Sequence, residues 1–259
     1  LHVSDVQALA FQDPIDIALV SVKSYDTEWA TTLIRQYLAP AGYVVSLQNC
    51  LNEERIAGIV GWGRTVGAIA SMISVDMNAP GQVMRTVPKM GDRHTVFRAG
   101  EVHGRVSSRI EELVALFALV DSAKPTTNLW GERWSKLVLN GMVNGVSSAT
   151  GLPVAEVNAN PAVRRFTIAL AGEAVRIGQA LGYELEEIGR FYVELRNMGF
   201  GLTHVDVGGG LGVDYDGSRS TRPASMNYSM REYANDVVYT LGAMCKTEGV
   251  PAPHIISES

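Results

Sequence analysis

Cysteine is almost absent. Cys50 and Cys245 are the only two in 259 residues. Two distant cysteines make neither a disulfide framework nor a zinc site, and this usage fits a reducing cytoplasm. Long apolar runs are missing too. No run reaches the ~18 residues of a membrane-spanning helix, because polar residues interrupt the most apolar stretches, 110–120 and 137–146. Excess positive charge is also lacking. The net charge of -5 argues against a nucleic-acid or anionic-membrane partner held by bulk charge. The opening "LHVSDVQALA" has no basic region leading into an apolar one, so no signal peptide is expected. The first residue is Leu, and the last segment, "IISES", reads as a strand. Both ends therefore read as cut.

What remains is ordinary for a soluble globular protein with a real core: 46% apolar and 19% charged residues. The length suits one large domain or two ordinary ones. Residues 15–22, "IDIALVSV", read as a buried strand, and Asp26 or Thr27 then caps a helix running to about Leu38. A strand at 43–49, a helix at 52–60 and a strand at 65–73 continue the alternation of a parallel α/β layer. Residues 75–105 read as strands and loops of an edge. Stretches 107–121, 130–148 and 161–182 carry apolar residues at helical spacing. After about Gly189 the chain turns α/β again: a helix at 190–199, a strand at 203–207, a glycine loop, a helix at 229–248 and a strand at 253–257.

Two local patterns point to chemistry. In "WGERWSKLVLNGMVNGVSSATG", Lys136, Asn140 and Asn144 fall at i, i+4 and i+8, on one helical face among apolar neighbours. Such a stripe faces solvent or lines a pocket. Asn is a poor choice for an exposed helix surface, which favours the pocket. Lys23 lies just past the end of the first strand, and Gln48 and Asn49 end the second. In open α/β sheets ligands bind at that edge.

"VKSYDTE", "SLQNCLNEER" and "WSKLVLNGMVNGVSSATGLPVAEV" together resemble the ketopantoate reductase family, the NADPH-dependent 2-dehydropantoate 2-reductases, over about 1–189. The resemblance implies a Rossmann-type domain followed by a helical domain. It implies that Lys136 is the catalytic proton donor and that Asn140 and Asn144 line the substrate side. Lys23 and Asn49 would sit near the nicotinamide ribose of NADPH, with Asn49 also on the substrate side. Three departures stand out. The family's G-x-G-x-x-G loop lies ahead of the first residue here. Cys50 stands where the family usually has Gly. The later Ser and Glu of the family find only a superficial match in "RPASMNYSMRE".

"HVDVGGGLGVDYDG", residues 204–217, is a second signature. It is no dinucleotide loop: counted from Gly208 or Gly210, the third required glycine falls on Val213 or Tyr215. Consecutive glycines after a strand let backbone N–H groups close on a phosphate, although a structural turn is the alternative. With "RFYVELRNMGFGLT" before it and "GVPAPHIISES" after the next helix, the segment resembles biosynthetic arginine decarboxylase over about 190–259. That family binds pyridoxal phosphate (PLP) on a (β/α)8 barrel. The resemblance implies that Gly208, Gly209 and Gly210 hold the cofactor phosphate and that Glu258 pairs with the pyridinium nitrogen.

The expected architecture is thus a partial Rossmann-type parallel layer (1–105), a helical domain (106–189) and a fragment of a PLP barrel (190–259). The join near Gly189 and Arg190 reads as a chimera of two enzymes. A non-catalytic interaction protein is the alternative from another class. A small-molecule substrate is the expected partner, an oligomer is possible, and the chain as given is expected to be inactive in both reactions.

Overall fold

The computed structural model describes residues 3–89, 91, 94–183, 188–197, 200–209 and 230–258. The chain divides into two compact units. One comprises 1–140 with 174–184, and the other 141–173 with 185–259.

The first unit is built on a five-stranded sheet of β1 (Ile15–Val20), β2 (Leu38–Ser46), β3 (Thr65–Ala70), β6 (Phe97–Glu101) and β7 (Ala123–Pro125), in the order β1-β2-β3-β6-β7. Helices α1 (Thr27–Arg35) and α2 (Glu53–Val60) make the crossovers between β1, β2 and β3, which run parallel. The parallel layer expected from sequence is in fact mixed, because β6 pairs antiparallel with β3, Val66 opposite Glu101. A separate hairpin, β4 (Val75–Ala79) with β5 (Gln82–Arg85), occupies the Gly- and Pro-rich stretch before it.

Helices cover both faces of the sheet, so its central strands are apolar on both sides. Val44 and Val45, adjacent on β2, are each fully buried. Val45 joins Val66, Phe97, Ile110 and Phe117 against α3 (Ser108–Ala118). The rings of Phe97 and Phe117 stack with centroids 5.0 Å apart. Val44 packs on the other side with Ala18, Val20 and Ile56. Ile110, Leu113 and Phe117 are the buried stripe of α3, spaced by three and four as a helix requires. One boundary departs from expectation: α1 stops at Arg35 and Leu38 already opens β2, opposite Ile15. Pairing with β1 outweighs the local helical preference there.

α4 (Leu129–Asn140) ends the first of the two segments that make up the first unit. The single helix expected over 130–148 is interrupted by a π-helical turn, Gly141–Gly145, before α5 (Val146–Thr150). Glycine at both ends of that turn weakens the α-helical preference locally. Gly151, at φ +70°, then ends α5 in the left-handed conformation that suits glycine.

The second unit contains α5, α6 (Val154–Ala159) and the start of α7 (Pro161–Ala180), whose last residues belong to the first unit. It continues with α8 (Ile188–Asn197), β8 (His204–Gly209), α9 (Met230–Glu248) and β9 (His254–Glu258). β8 and β9 pair in parallel. Tyr192, Val193, Val205, Leu241 and Cys245 form a small core beneath them. Among the described residues this sheet has two strands, one β–α–β unit and no closed barrel.

Candidate active site

The C-terminal edge of the parallel strands carries the candidate site. β1 ends at Val20, β2 at Ser46 and β3 at Ala70. Past the first two ends lies a cavity of about 520 Å³ whose lining includes Val22, Lys23, Ser24, Gln48 and Asn49. Lys23 and Asn49 are exposed. Past the third end, the Lys136 ammonium donates to the carbonyl of Ala70. Three of the residues singled out from sequence thus meet one sheet edge, Lys23 after β1, Asn49 after β2 and Lys136 at the end of β3. Asn140 follows on α4 and is half-buried, while Asn144 lies on the π turn, in the second unit, and is exposed.

The edge is held by backbone-directed side chains. Gln48 Nε2 donates to the Val22 carbonyl at 2.7 Å and to Thr27 Oγ1 at 2.9 Å. Asn52 Nδ2 donates to the Asn49 carbonyl at 2.8 Å and to Ser24 Oγ at 3.1 Å. Gln48 is 6% exposed, and its Oε1 has no hydrogen-bond partner among the described residues. A buried carboxamide oxygen without a partner is costly.

Cys50 has φ +67°. This conformation costs an L-residue roughly 1–2 kcal/mol and costs glycine nothing. It explains why the resembled family has Gly after the Asn. Met72, two residues beyond β3, is likewise at φ +54°.

Beneath the edge lies a buried ion pair that pattern reading did not single out. Arg133, on α4, is 2% exposed and pairs with Glu53, the fully buried first residue of α2. Arg133 also donates to the Ser46 carbonyl at 2.6 Å and to the Gln48 carbonyl. Glu53 Oε2 in turn accepts from the Asn52 amide at 3.1 Å. Gly67 on β3 makes room for this packing: a Cβ there would stand 2.6 Å from the Leu129 methyls and 2.9 Å from Glu53 Oε1. The signal available in sequence was one of composition, an Arg and a Glu in otherwise apolar helix stripes.

A larger cavity, about 760 Å³, lies at the opposite edge of the sheet, beside Trp62, Glu101, His103, Arg109 and Trp130. Glu101 accepts from Arg109 Nε at 2.7 Å and Nη2 at 2.5 Å, and from Ser107 Oγ at 2.5 Å. Burial pushes the Glu101 carboxyl up, but the hydrogen bonds from Arg109 and Ser107, with the charges of Arg109 and His103, outweigh it and hold it below the ordinary carboxylate value. The guanidinium and carboxylate there already satisfy each other. None of the residues expected from sequence lies at this edge, so size does not locate the chemistry.

In the second unit, the register of β8 on β9 sets Gly209 opposite Glu258. Gly208 and Gly209 are the last residues of β8, and Gly210 lies outside the described residues. Of the residues expected to hold PLP, Gly208, Gly209 and Glu258 are among the described ones.

Two family models match the chain: Ketopantoate reductase PanE/ApbA over residues 2–96, and Ketopantoate reductase PanE/ApbA C terminal over residues 128–245. The second match runs well past Gly189, where the reductase resemblance was expected to end. A curated biosynthetic arginine decarboxylase from Rhodopirellula baltica is 60% identical over 73 residues, covering 28% of this chain and 11% of that protein. The chain thus spans about a tenth of the length of such curated relatives. Among solved structures, the PanE/ApbA family ketopantoate reductase from Ralstonia eutropha is 20% identical, with TM-score 0.62, covering 96% of this chain and 74% of that one. A D-mandelate dehydrogenase bound to NADH and anilino(oxo)acetate is 13% identical, with TM-score 0.60, covering 93% of this chain and 73% of that one. At these identities the structural likeness establishes the fold, a Rossmann-like α/β sheet with a helical domain. The two family matches and the shared fold together support a ketopantoate reductase family for this chain.

Proposed function

We propose that the chain carries the strand-end part of an NADPH-dependent reductase site that reduces an α-keto acid, 2-dehydropantoate, to pantoate. The carrying observation is the convergence of Lys23, Asn49 and Lys136 on one edge of the sheet. The cavity fits the ribose end of a dinucleotide. Lys23 and Asn49 supply polar groups at its mouth. When bound, the nicotinamide supplies the hydride that goes to the keto carbon.

Everything else is work for the chain's own residues. The Lys136 ammonium exchanges its bond to the Ala70 carbonyl for one to the keto oxygen. As charge develops on that oxygen, Lys136 stabilises it and gives it a proton, leaving as a neutral amine that water reprotonates. Asn140, one turn on, supplies a carboxamide for the substrate's carboxylate and hydroxyls, and Asn144 lies on the π turn that follows. In this reading residues 1–105 serve the cofactor and 106–189 the substrate.

NADPH fluorescence on titration with the purified chain tests the reading. Binding is expected, weakened about tenfold by Gln48→Leu or Lys23→Ala. No binding, or binding indifferent to both substitutions, sinks it.

A second reading concerns residues 190–259, favoured by the 60% identity to an arginine decarboxylase over 73 residues. Here Gly208, Gly209 and Gly210 hold the phosphate of PLP and Glu258 its ring nitrogen, the chain being a chimera of two enzymes. The parallel register that sets Gly209 opposite Glu258 supports it. Equilibrium dialysis against PLP tests it: retention lost in Gly209→Val supports the reading, and no retention by the parent chain removes it.

A further inference from the structure

We propose that Arg133 is the positioning residue for Lys136, acting through the buried pair with Glu53. This rests on the reading of Lys136 as the proton donor. Arg133 and Lys136 are three residues apart on α4, so they rise from neighbouring positions on the same helix. Lys136 reaches the end of β3, and Arg133 reaches the end of β2 through the Ser46 and Gln48 carbonyls. The helix is thereby tied to two strand ends at once.

The tie continues. Glu53, paired with Arg133, also accepts from the Asn52 amide at 3.1 Å. Asn52 holds the Asn49 carbonyl and Ser24 Oγ, and Gln48 holds the Val22 carbonyl. Lys23 lies between Val22 and Ser24, and Asn49 follows Gln48. One buried cation therefore links the helix of the proton donor to the backbone on which both cofactor-side residues stand.

A packing role alone does not need this chemistry. Replacing a buried ion pair by apolar residues of similar volume is often neutral for stability. What an apolar pair cannot do is fix direction: a guanidinium fork meets a carboxylate and two carbonyls in one orientation only. The network sets where along the strand ends α4 sits, and so where the Lys136 ammonium stands.

The test separates position from stability. In the double variant Arg133→Met/Glu53→Met both charges are gone and the apolar volume is kept. Acetylation of Lys136 by acetic anhydride is followed by mass spectrometry, with exposed Lys124 and Lys246 as internal references. A folded double variant is expected to change the Lys136 rate by about threefold or more, with the reference lysines unmoved. A folded variant with an unchanged Lys136 rate overturns the proposal. Should the double variant fail to fold, Arg133→Lys, which keeps the charge and loses the fork, is read by the same two results. Failure of both to fold also overturns it, since the pair then serves the fold as a whole. The readout needs no turnover, so it stands apart from the function of Lys136. Loss of 2-oxo acid binding in Lys136→Met tests that function separately.

Discussion

The two units bury different things. The first unit buries charge: Glu53, Glu101, Asp121, Glu132 and Arg133 are each at most 9% exposed. Among the described residues of the second unit, the buried side chains are apolar apart from the Thr167 hydroxyl, the Tyr192 phenol and the Cys245 thiol. Apolar packing is non-directional and holds elements together, whereas buried ion pairs and carbonyl-directed fingers hold them in one orientation. The unit that carries Lys136 and the strand-end cavity is the one that uses directional groups. The difference teaches where geometry has been fixed and where only compactness is needed.

The largest expected effect comes from breaking the Arg133 pair on one side. Arg133→Met leaves Glu53 buried and uncompensated, which costs about 3–5 kcal/mol. Urea denaturation checks this, and a loss below about 1 kcal/mol would mean that water reaches Glu53. Acid is the next lever. Glu101 is held below its ordinary value of 4.5, so its share of stability is fully present above that value. It is lost as pH falls through the folded value. Hydrogen exchange across an acid series should show this loss around β6 and α3, and Glu101→Gln should flatten it. Acid lability confined instead to β8 and β9 would reverse the comparison.

Smaller effects sharpen it. Tyr192 Oη donates to the Pro251 carbonyl at 2.7 Å, so Tyr192→Phe should cost the second unit about 1 kcal/mol by urea midpoint. Burial already pushes this phenol's pKa up, in keeping with a group that stays neutral. Cys50→Gly should stabilise the first unit slightly, by about 0.5–1 kcal/mol, because the relief of a left-handed Cys exceeds the extra chain entropy of Gly. A thermal melt that shows destabilisation instead would deny the strain at that turn.

Much of the fold was legible because periodicity reports burial. The "IDIALVSV" run, the helix at 52–60 and the three-and-four spacing over 107–121 each name an element. The candidate edge was legible too, since Lys23 and Asn49 follow strands directly. Less legible was the interruption at Gly141–Gly145. The expected stripe of Lys136, Asn140 and Asn144 assumed one continuous helix, and the π turn divides it between two units. Nor did pattern show that Leu38 would leave α1 for β2, because a strand's pairing partner lies elsewhere in the chain.

By itself the sequence determined what local chemistry can write: which segments are strands or helices, which faces are apolar, and which short motifs resemble a reductase and a decarboxylase. Tertiary structure alone decided that β6 runs antiparallel to β3 and that Cys50 must adopt a glycine-like backbone. It also decided that Arg133 and Glu53, 80 positions apart in the numbering of the chain, would meet beneath the strand ends. The reason is physical. Propensity and periodicity act over one or two turns of chain, whereas the partners that satisfy a buried charge are assembled only when distant segments fold against each other.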